Sequence, residues 1–433
     1  MRLRPDMRGF SLIEVMVGML IGLIGCIVIF QVFSVNERYK RSTTSGSDAQ
    51  VSGALAIFAL EREIKMAGFG VNDRIALGCN MLAYTSTRGT GVENYSLTLA
   101  PIQIHAGPDA ATPDIISVSY GAPFEFVPGA ALATANMAPA GNFRLENRGG
   151  VRRWDFLLAF QPSQANCSLV NVTNLPLDAG ATPTCAGSNT SDAVEICPTT
   201  NKTDADGVQR QYNPGGGLPG APTYTVSAGA TNTRFYSFGP EPVFNVYRLI
   251  NNTLSVCNMR ISNCASTAAA NWQAVMENVV FMKAYYGMDT NDDGVVDTYD
   301  PRVCRDTAGV AGYTAANGDN FGDEWAESAD TDSDGLHDTW SPAAPSAYDW
   351  SRVQSVRIAV VVRSSNPERE IVSPATLQLW PDNPAASGSG CTSTAALTGP
   401  DQTGPSWTVP DRTYRYRVFE TIVPLRNSIW LPG

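Results

Sequence analysis

Nineteen consecutive positions, Val15 to Phe33, carry neither a charge nor a proline. An α-helix needs about 20 apolar residues to cross a bilayer, so this run predicts a membrane span. One carboxylate, Glu14, stands immediately before it, and a short leader with Arg2, Arg4 and Arg8 precedes that. Beyond the run the pattern turns amphipathic. Residues 34–68 lack proline, and Leu55, Ile57, Phe58, Leu60, Ile64 and Met66 recur at mixed three- and four-residue steps. Glu61, Arg62, Glu63 and Lys65 fill the other positions. This spacing predicts a helix with one side on a globular core, stopped by Gly68 and Gly70. The two parts join into one helix from about Phe10 to Ala67, roughly 85 Å long.

After Gly70 the period changes to that of strands. Asp114–Tyr120, Phe156–Gln161 and Val279–Tyr286 are short β-type runs. Val243–Ile250 and Thr253–Asn258 flank Asn251-Asn252, a hairpin signal. Val353–Arg363 alternates and then becomes continuously apolar, as a central buried strand does. Tyr414–Val423 alternates basic and apolar residues, as a strand with one solvated face does. Residues 162–225, rich in Asn, Thr, Pro and Gly with three cysteines, read as a long stapled loop. The predicted fold class is α+β: a long N-terminal helix, first transmembrane and then amphipathic, packed on an antiparallel sheet with large loop insertions.

Composition adds compartment and charge. Only 16% of the 433 residues are charged and the net charge is −11, which argues against nucleic acid as a partner. Cys26 lies inside the apolar run. The other eight cysteines (Cys79, Cys167, Cys185, Cys197, Cys257, Cys264, Cys304, Cys391) lie downstream and predict disulfides in an oxidising compartment. Cys257 with Cys264 and Cys185 with Cys197 are the local pairings expected. There is no C-x-x-C pair and His occurs only at 105 and 337, which disfavours zinc. No small-residue cleavage site follows the apolar run. The basic leader keeps the N-terminus cytoplasmic and directs the remaining chain outward.

The string Gly9-Phe10-Ser11-Leu12-Ile13-Glu14 resembles the class III signal of type IV prepilins. The resemblance implies that prepilin peptidase cuts between Gly9 and Phe10, that Phe10 is then N-methylated, and that Glu14 becomes the fifth mature residue. An acid in hydrocarbon costs several kcal/mol when unpaired; a neighbouring subunit's N-terminal amine is its natural partner. Gly18, Gly22 and Gly25 fit close helix packing, local melting of the helix or no special role alike. Ala56–Gly70 (AIFALEREIKMAGFG), Ser355–Arg363 (SVRIAVVVR) and Tyr414–Asn427 (YRYRVFETIVPLRN) resemble minor pilins of the PilW type.

That resemblance implies a pilin fold with a leader over 1–9, a transmembrane helix over 10–33, an amphipathic continuation over 34–70 and a periplasmic headgroup over 71–433. It implies an inner-membrane, single-pass subunit that catalyses nothing. Such a subunit primes pilus assembly with the other minor pilins and the major pilin, and later sits at the tip on the cell surface, where a tip adhesin is a further partner. Two alternatives stay open: a large minor pseudopilin of type II secretion, and a membrane-anchored calcium-dependent binding protein.

Two acidic loops carry the remaining chemistry. Asp289, Asn291, Asp293, Val295, Asp297 and Asp300, with Gly294 at the turn, follow the spacing by which an EF-hand-like loop supplies calcium with side-chain oxygens and one carbonyl. Asp300 stands where a longer Glu is usual. Asp330, Asp332, Asp334, Leu336 and Asp338, with Gly335, repeat the pattern. Its twelfth position is Ser341, so Asp323, Glu324 or Glu327 would complete it. Carboxylates crowded this closely repel one another without a cation. Structural calcium over 289–341 is therefore expected, at affinities of about 10⁻⁴–10⁻³ M. His105 is expected to be an inert loop residue, and His337 to face solvent. Gly215-Gly216-Gly217 lacks a following Lys-Ser/Thr and reads as a flexible loop, not a phosphate cradle.

Overall fold

The computed structural model describes residues 11–71, 76–86, 94–107, 111–123, 129–133, 136–137, 143–147, 150–162, 164, 166–173, 193–194, 201–214, 218–220, 224–225, 233–289, 294–296, 298–300, 350–380 and 405–429. It opens on one helix, α1 (Leu12–Met66), of 55 residues. From Leu12 to Glu37 none of it is buried. Farther along, Ala49, Gly53, Ala56, Leu60, Ile64 and Ala67 are buried at four- and three-residue steps, which trace one helix face. Four of these six are Ala or Gly, so the helix can lie close to the sheet. At Gly53 an added Cβ would meet the Phe419 ring at 2.0 Å. The expected stripe needs correction: Leu55, Phe58 and Met66 point outward and are exposed. The face of small residues, not the bulkiest one, faces the core.

The helix ends on Gly68 and Gly70, both with positive φ. Its last carbonyls would be orphaned. The Asn427 side-chain amide takes this role, donating to the oxygens of Lys65, Met66 and Ala67 at 3.1–3.2 Å. Asn427 lies in the short α2 (Arg426–Ile429), so the far end of the chain caps the first helix.

Three main sheets follow. The strands of the first are β1 (Asn80–Tyr84), β2 (Asn94–Thr98), β5 (Ala130–Ala131), β6 (Phe156–Phe160), β7 (Asn166–Asn171) and β8 (Arg234–Gly239). The second is built from β3 (Ile102–His105), β4 (Ile115–Tyr120), β9 (Val243–Ile250), β10 (Thr253–Asn258) and β11 (Gln273–Glu277). The third is built from β12 (Val279–Met288), β13 (Thr298–Asp300), β14 (Val353–Arg363) and β17 (Tyr416–Pro424). A two-stranded pair, β15 (Thr376–Gln378) and β16 (Ser406–Thr408), lies beside the third. The sheet orders are β2-β1-β7-β6-β8-β5, β11-β10-β9-β4-β3 and β13-β12-β14-β17. The architecture is α+β as expected, but the sheet is not single, and β1 pairs with β7 in parallel, Met81 opposite Cys167. The region expected to be all loop, 162–225, supplies that interior strand β7. Cys167 on it is bonded to Cys79.

β14 explains its own sequence. Val356, Ile358, Val360 and Val362 join the core under α1, while Ala359 and Val361 pack with Trp380, Trp407 and Tyr416 on the opposite face. A strand covered on both faces has no solvated positions to alternate with. The β9–β10 hairpin turns on Asn251 and Asn252, whose φ values of 50° and 60° are those a type I′ turn requires. His105 is on β3, not in a loop; it is buried, with Nε2 at 3.1 Å from Ser117 Oγ.

Two polar joints tie these layers. Asp114, at the entry to β4, accepts from Lys283 Nζ at 2.7 Å and from the Ala284 amide at 2.9 Å, linking the second sheet to the third. The second joint gathers Lys202, Asp204, Arg210, Tyr212, Glu241 and Arg260. Arg260 donates to Asp204 at 3.0 Å, to the Tyr212 hydroxyl at 2.6 Å and to Glu241 at 2.5 Å. Arg210 donates to Asp204 at 2.9 Å, Tyr212 also donates to Asp204, and Lys202 lies 2.7 Å from Glu241. The group anchors the 201–214 segment beneath the loop that follows β10.

Candidate functional site

The bare half of α1 is the first candidate site. Ser11 is extended and its carbonyl accepts the Val15 amide at 3.2 Å, so the helix starts one residue later. Glu14 falls in the first turn, where the helix dipole favours a carboxylate. Around it the surface is apolar on every side: Leu12, Ile13, Met16, Met19, Leu20 and Phe30 are all at least 60% exposed. A helix apolar all round is stable only in lipid or among other apolar helices. The 26 residues from Leu12 to Glu37 span about 39 Å at 1.5 Å each, enough for a hydrocarbon core of about 30 Å. A Cβ on Gly18, Gly22 or Gly25 would meet nothing within 4 Å, so no contact inside this chain demands glycine there.

The second candidate is the turn after β12. Asp289 is buried, and its Oδ2 accepts the Gly294 amide at 2.7 Å and Gln354 Nε2 at 2.8 Å. Its main chain is paired with Arg352 in both directions. Gly294 adopts φ 84°, a conformation that favours glycine. The chain thus folds back onto the first acidic residue of the motif at its glycine. Val295 is exposed beside it, and the backbone of Asp300 ends β13, opposite Tyr286. Asn291, Asp293 and Asp297 lie outside the described residues, as does the whole second loop with Asp330, Asp332, Asp334, Leu336 and Asp338. Among the described residues no three acidic, His or Cys side chains converge on one point.

Gly9 and Phe10 also lie outside the described residues, as do Cys185, Cys197, Cys304 and Cys391. Cys257 and Cys264 are bonded to each other, and Cys26 is free and exposed on the bare helix. The sequence reading missed the Arg260 joint. Its residues are scattered from 202 to 260 with no periodicity, and only the fold brings them together.

A bare apolar helix with an acid in its first turn is fixed by its second half to a β-rich head, the arrangement of a subunit anchored in a membrane through its N-terminal helix. Residues 223–427 match the family described as type IV pilus-assembly protein W, and residues 4–30 match the prokaryotic N-terminal methylation motif. Both matches support a type IV pilin-like protein of the PilW type with a structural part in pilus assembly. No curated protein and no solved structure matched it. The matched region closes on Asn427, the residue that caps α1.

Proposed function

We propose that this chain is processed between Gly9 and Phe10 and methylated on Phe10. It then enters an inner-membrane complex with other minor pilins, its head in the periplasm, primes polymerisation and is carried to the fibre tip. The observation that supports this most directly is the bare apolar helix: its large exposed surface needs lipid before assembly and neighbouring helices after it. Glu14 has the same two requirements. In lipid its carboxylate lacks a partner and is costly; against a neighbour's N-terminal amine it sets the axial offset between helices that would otherwise slide.

Calcium belongs to the same reading as a structural ion. The fold-back of Gly294 onto Asp289 supports the first loop as its holder. Asp289, Asn291, Asp293, Asp297 and Asp300 would supply carboxylate and amide oxygens and Val295 its carbonyl. Asp330, Asp332, Asp334, Leu336 and Asp338 would do the same in the second loop. The ion would order the region between β12 and β14.

Intact mass and N-terminal sequencing of the protein from cells test the processing, and a deletion tests the role. Methylated Phe10 at the mature N-terminus, with loss of surface pili on deletion, is expected. Loss of protein secretion with pili intact would instead support a pseudopilin. Calorimetry of the purified chain tests the ion: no heat at about millimolar calcium would remove it.

A further inference from the structure

Beside the upper part of α1 lies a half-open cleft of about 460 Å³ that none of the assembly chemistry uses. Glu63 of α1, Asn245 of β9, Asn271 and Trp272 ahead of β11, and Gln273 at the start of β11 are among the residues that line it. The volume falls in the range of small-molecule sites, and the lining sets four side-chain amides, one carboxylate and one indole among apolar and hydroxyl groups. Glu63 is its single charged side chain, and that charge is already engaged. Its Oε2 accepts the Tyr120 hydroxyl at 3.0 Å and Asn245 Nδ2 at 3.3 Å. Burial, with the Glu63 charge second, pushes the Tyr120 and Tyr247 hydroxyls up, so both stay protonated as donors.

The opposite wall is built rather than loose. Cys257–Cys264 closes the loop at its base. Within it Asn258 Oδ1 accepts the Arg260 amide at 2.9 Å, and its carbonyl accepts Ser262 at 2.9 Å. Trp272 is pinned by its indole nitrogen to the Ser266 carbonyl at 2.7 Å. The indole's one polar atom is thus committed elsewhere, and what it offers the cleft is ring surface. The side-chain amides of Asn271 and Gln273 in this lining make no hydrogen bond to the described residues, so each offers two donors and an acceptor oxygen to the cleft.

We infer that this cleft binds a neutral saccharide. Free amides and a fixed carboxylate match vicinal hydroxyls, which both donate and accept, and an indole face matches the C–H face of a pyranose. An anionic sugar would meet Glu63 as a like charge, and a cation would find that carboxylate already hydrogen-bonded. A preformed wall lowers the ordering cost that weak polar ligands can least offset.

The test is calorimetric titration of the detergent-solubilised full chain with maltotetraose, cellotetraose and chitotetraose in turn. Trp272→Ala removes the ring. The double variant Asn271→Ala with Gln273→Ala removes only side chains that hold nothing else, and so keeps the test valid if the Trp272 variant misfolds. Binding of at least one sugar is expected, weakened about tenfold or more in the double variant, or ~1.4 kcal/mol, with the melting temperature unchanged. No heat from any of the three at about 10 mM, where a millimolar Kd would show, overturns the inference. So does an affinity that the double variant leaves intact.

Discussion

Replacing Arg260 with Met leaves the volume of the buried joint nearly full but removes its central cation. In the native chain Lys202, Arg210 and Arg260 face Asp204, Asp206 and Glu241, a balanced set. Arg260 loses three hydrogen bonds in the variant, to Asp204, Tyr212 and Glu241. Its side chain is 6% exposed and that of Asp204 is 2% exposed, so solvent cannot replace them. Breaking a buried pair from one side costs about 3–5 kcal/mol, because the remaining charge stays buried. Lys202 and Arg210 still reach Asp204, which places the expectation at the lower end, about 3 kcal/mol.

Adding Glu241→Gln restores the charge balance and should recover part of that loss. The pH dependence carries the sign. Burial raises the Asp204 carboxyl, but Tyr212, Arg260 and Arg210 outweigh it and hold it below its ordinary value. Its contribution is therefore full above the unfolded value of about 3.9 and is lost as pH falls through the folded value. Urea unfolding of the solubilised chain at pH 7 and below pH 4 reads both effects. A loss under about 1 kcal/mol at neutral pH would mean that the joint is solvated and the reasoning wrong.

Gly53→Leu should lift α1 from Phe419, since even a Cβ lies 2.0 Å from that ring; a destabilisation of about 1–3 kcal/mol or more is expected in thermal melting, against little change for Gly22→Leu in the same monomer. Removing Cys79–Cys167, which spans 88 residues, should cost about 4–5 kcal/mol by loop entropy, whereas Cys257–Cys264, spanning 7, should cost about 2; equal midpoints in denaturant would refute the ordering. Lys283→Met strands Asp114 between two sheets with only backbone donors, and about 3 kcal/mol should be lost in chemical unfolding, with partial recovery in the Lys283→Met, Asp114→Asn pair. Glu14→Leu should leave folding and membrane insertion unchanged yet abolish recovery of the chain in sheared pili, read by immunoblot; normal recovery would remove Glu14 from assembly.

Much of this protein is written in local pattern. An uncharged run of bilayer length, a carboxylate at its start and Gly68 with Gly70 at its end specify α1 whatever surrounds it, because helix length, dipole and left-handed termination are properties of the chain itself. The same holds for the Asn251-Asn252 turn and for β14, whose unbroken apolar stretch states that both faces are covered. What covers them is not stated. Periodicity marked Leu55 and Phe58 for the core, yet Gly53 and Ala56 are the residues buried, because closeness to Phe419 selects small residues that hydrophobicity ranks low. β7 was hidden in a polar region because flanking asparagines and Ser168 break up its short apolar centre, and its parallel pairing with β1 joins residues 86 apart in sequence. The Arg260 joint, the Asn427 cap and the cleft at Glu63 each bring together side chains from distant segments. Their partners are chosen by burial, which leaves a charge or carbonyl no water to turn to, and burial exists only once the sheets have closed on the helix.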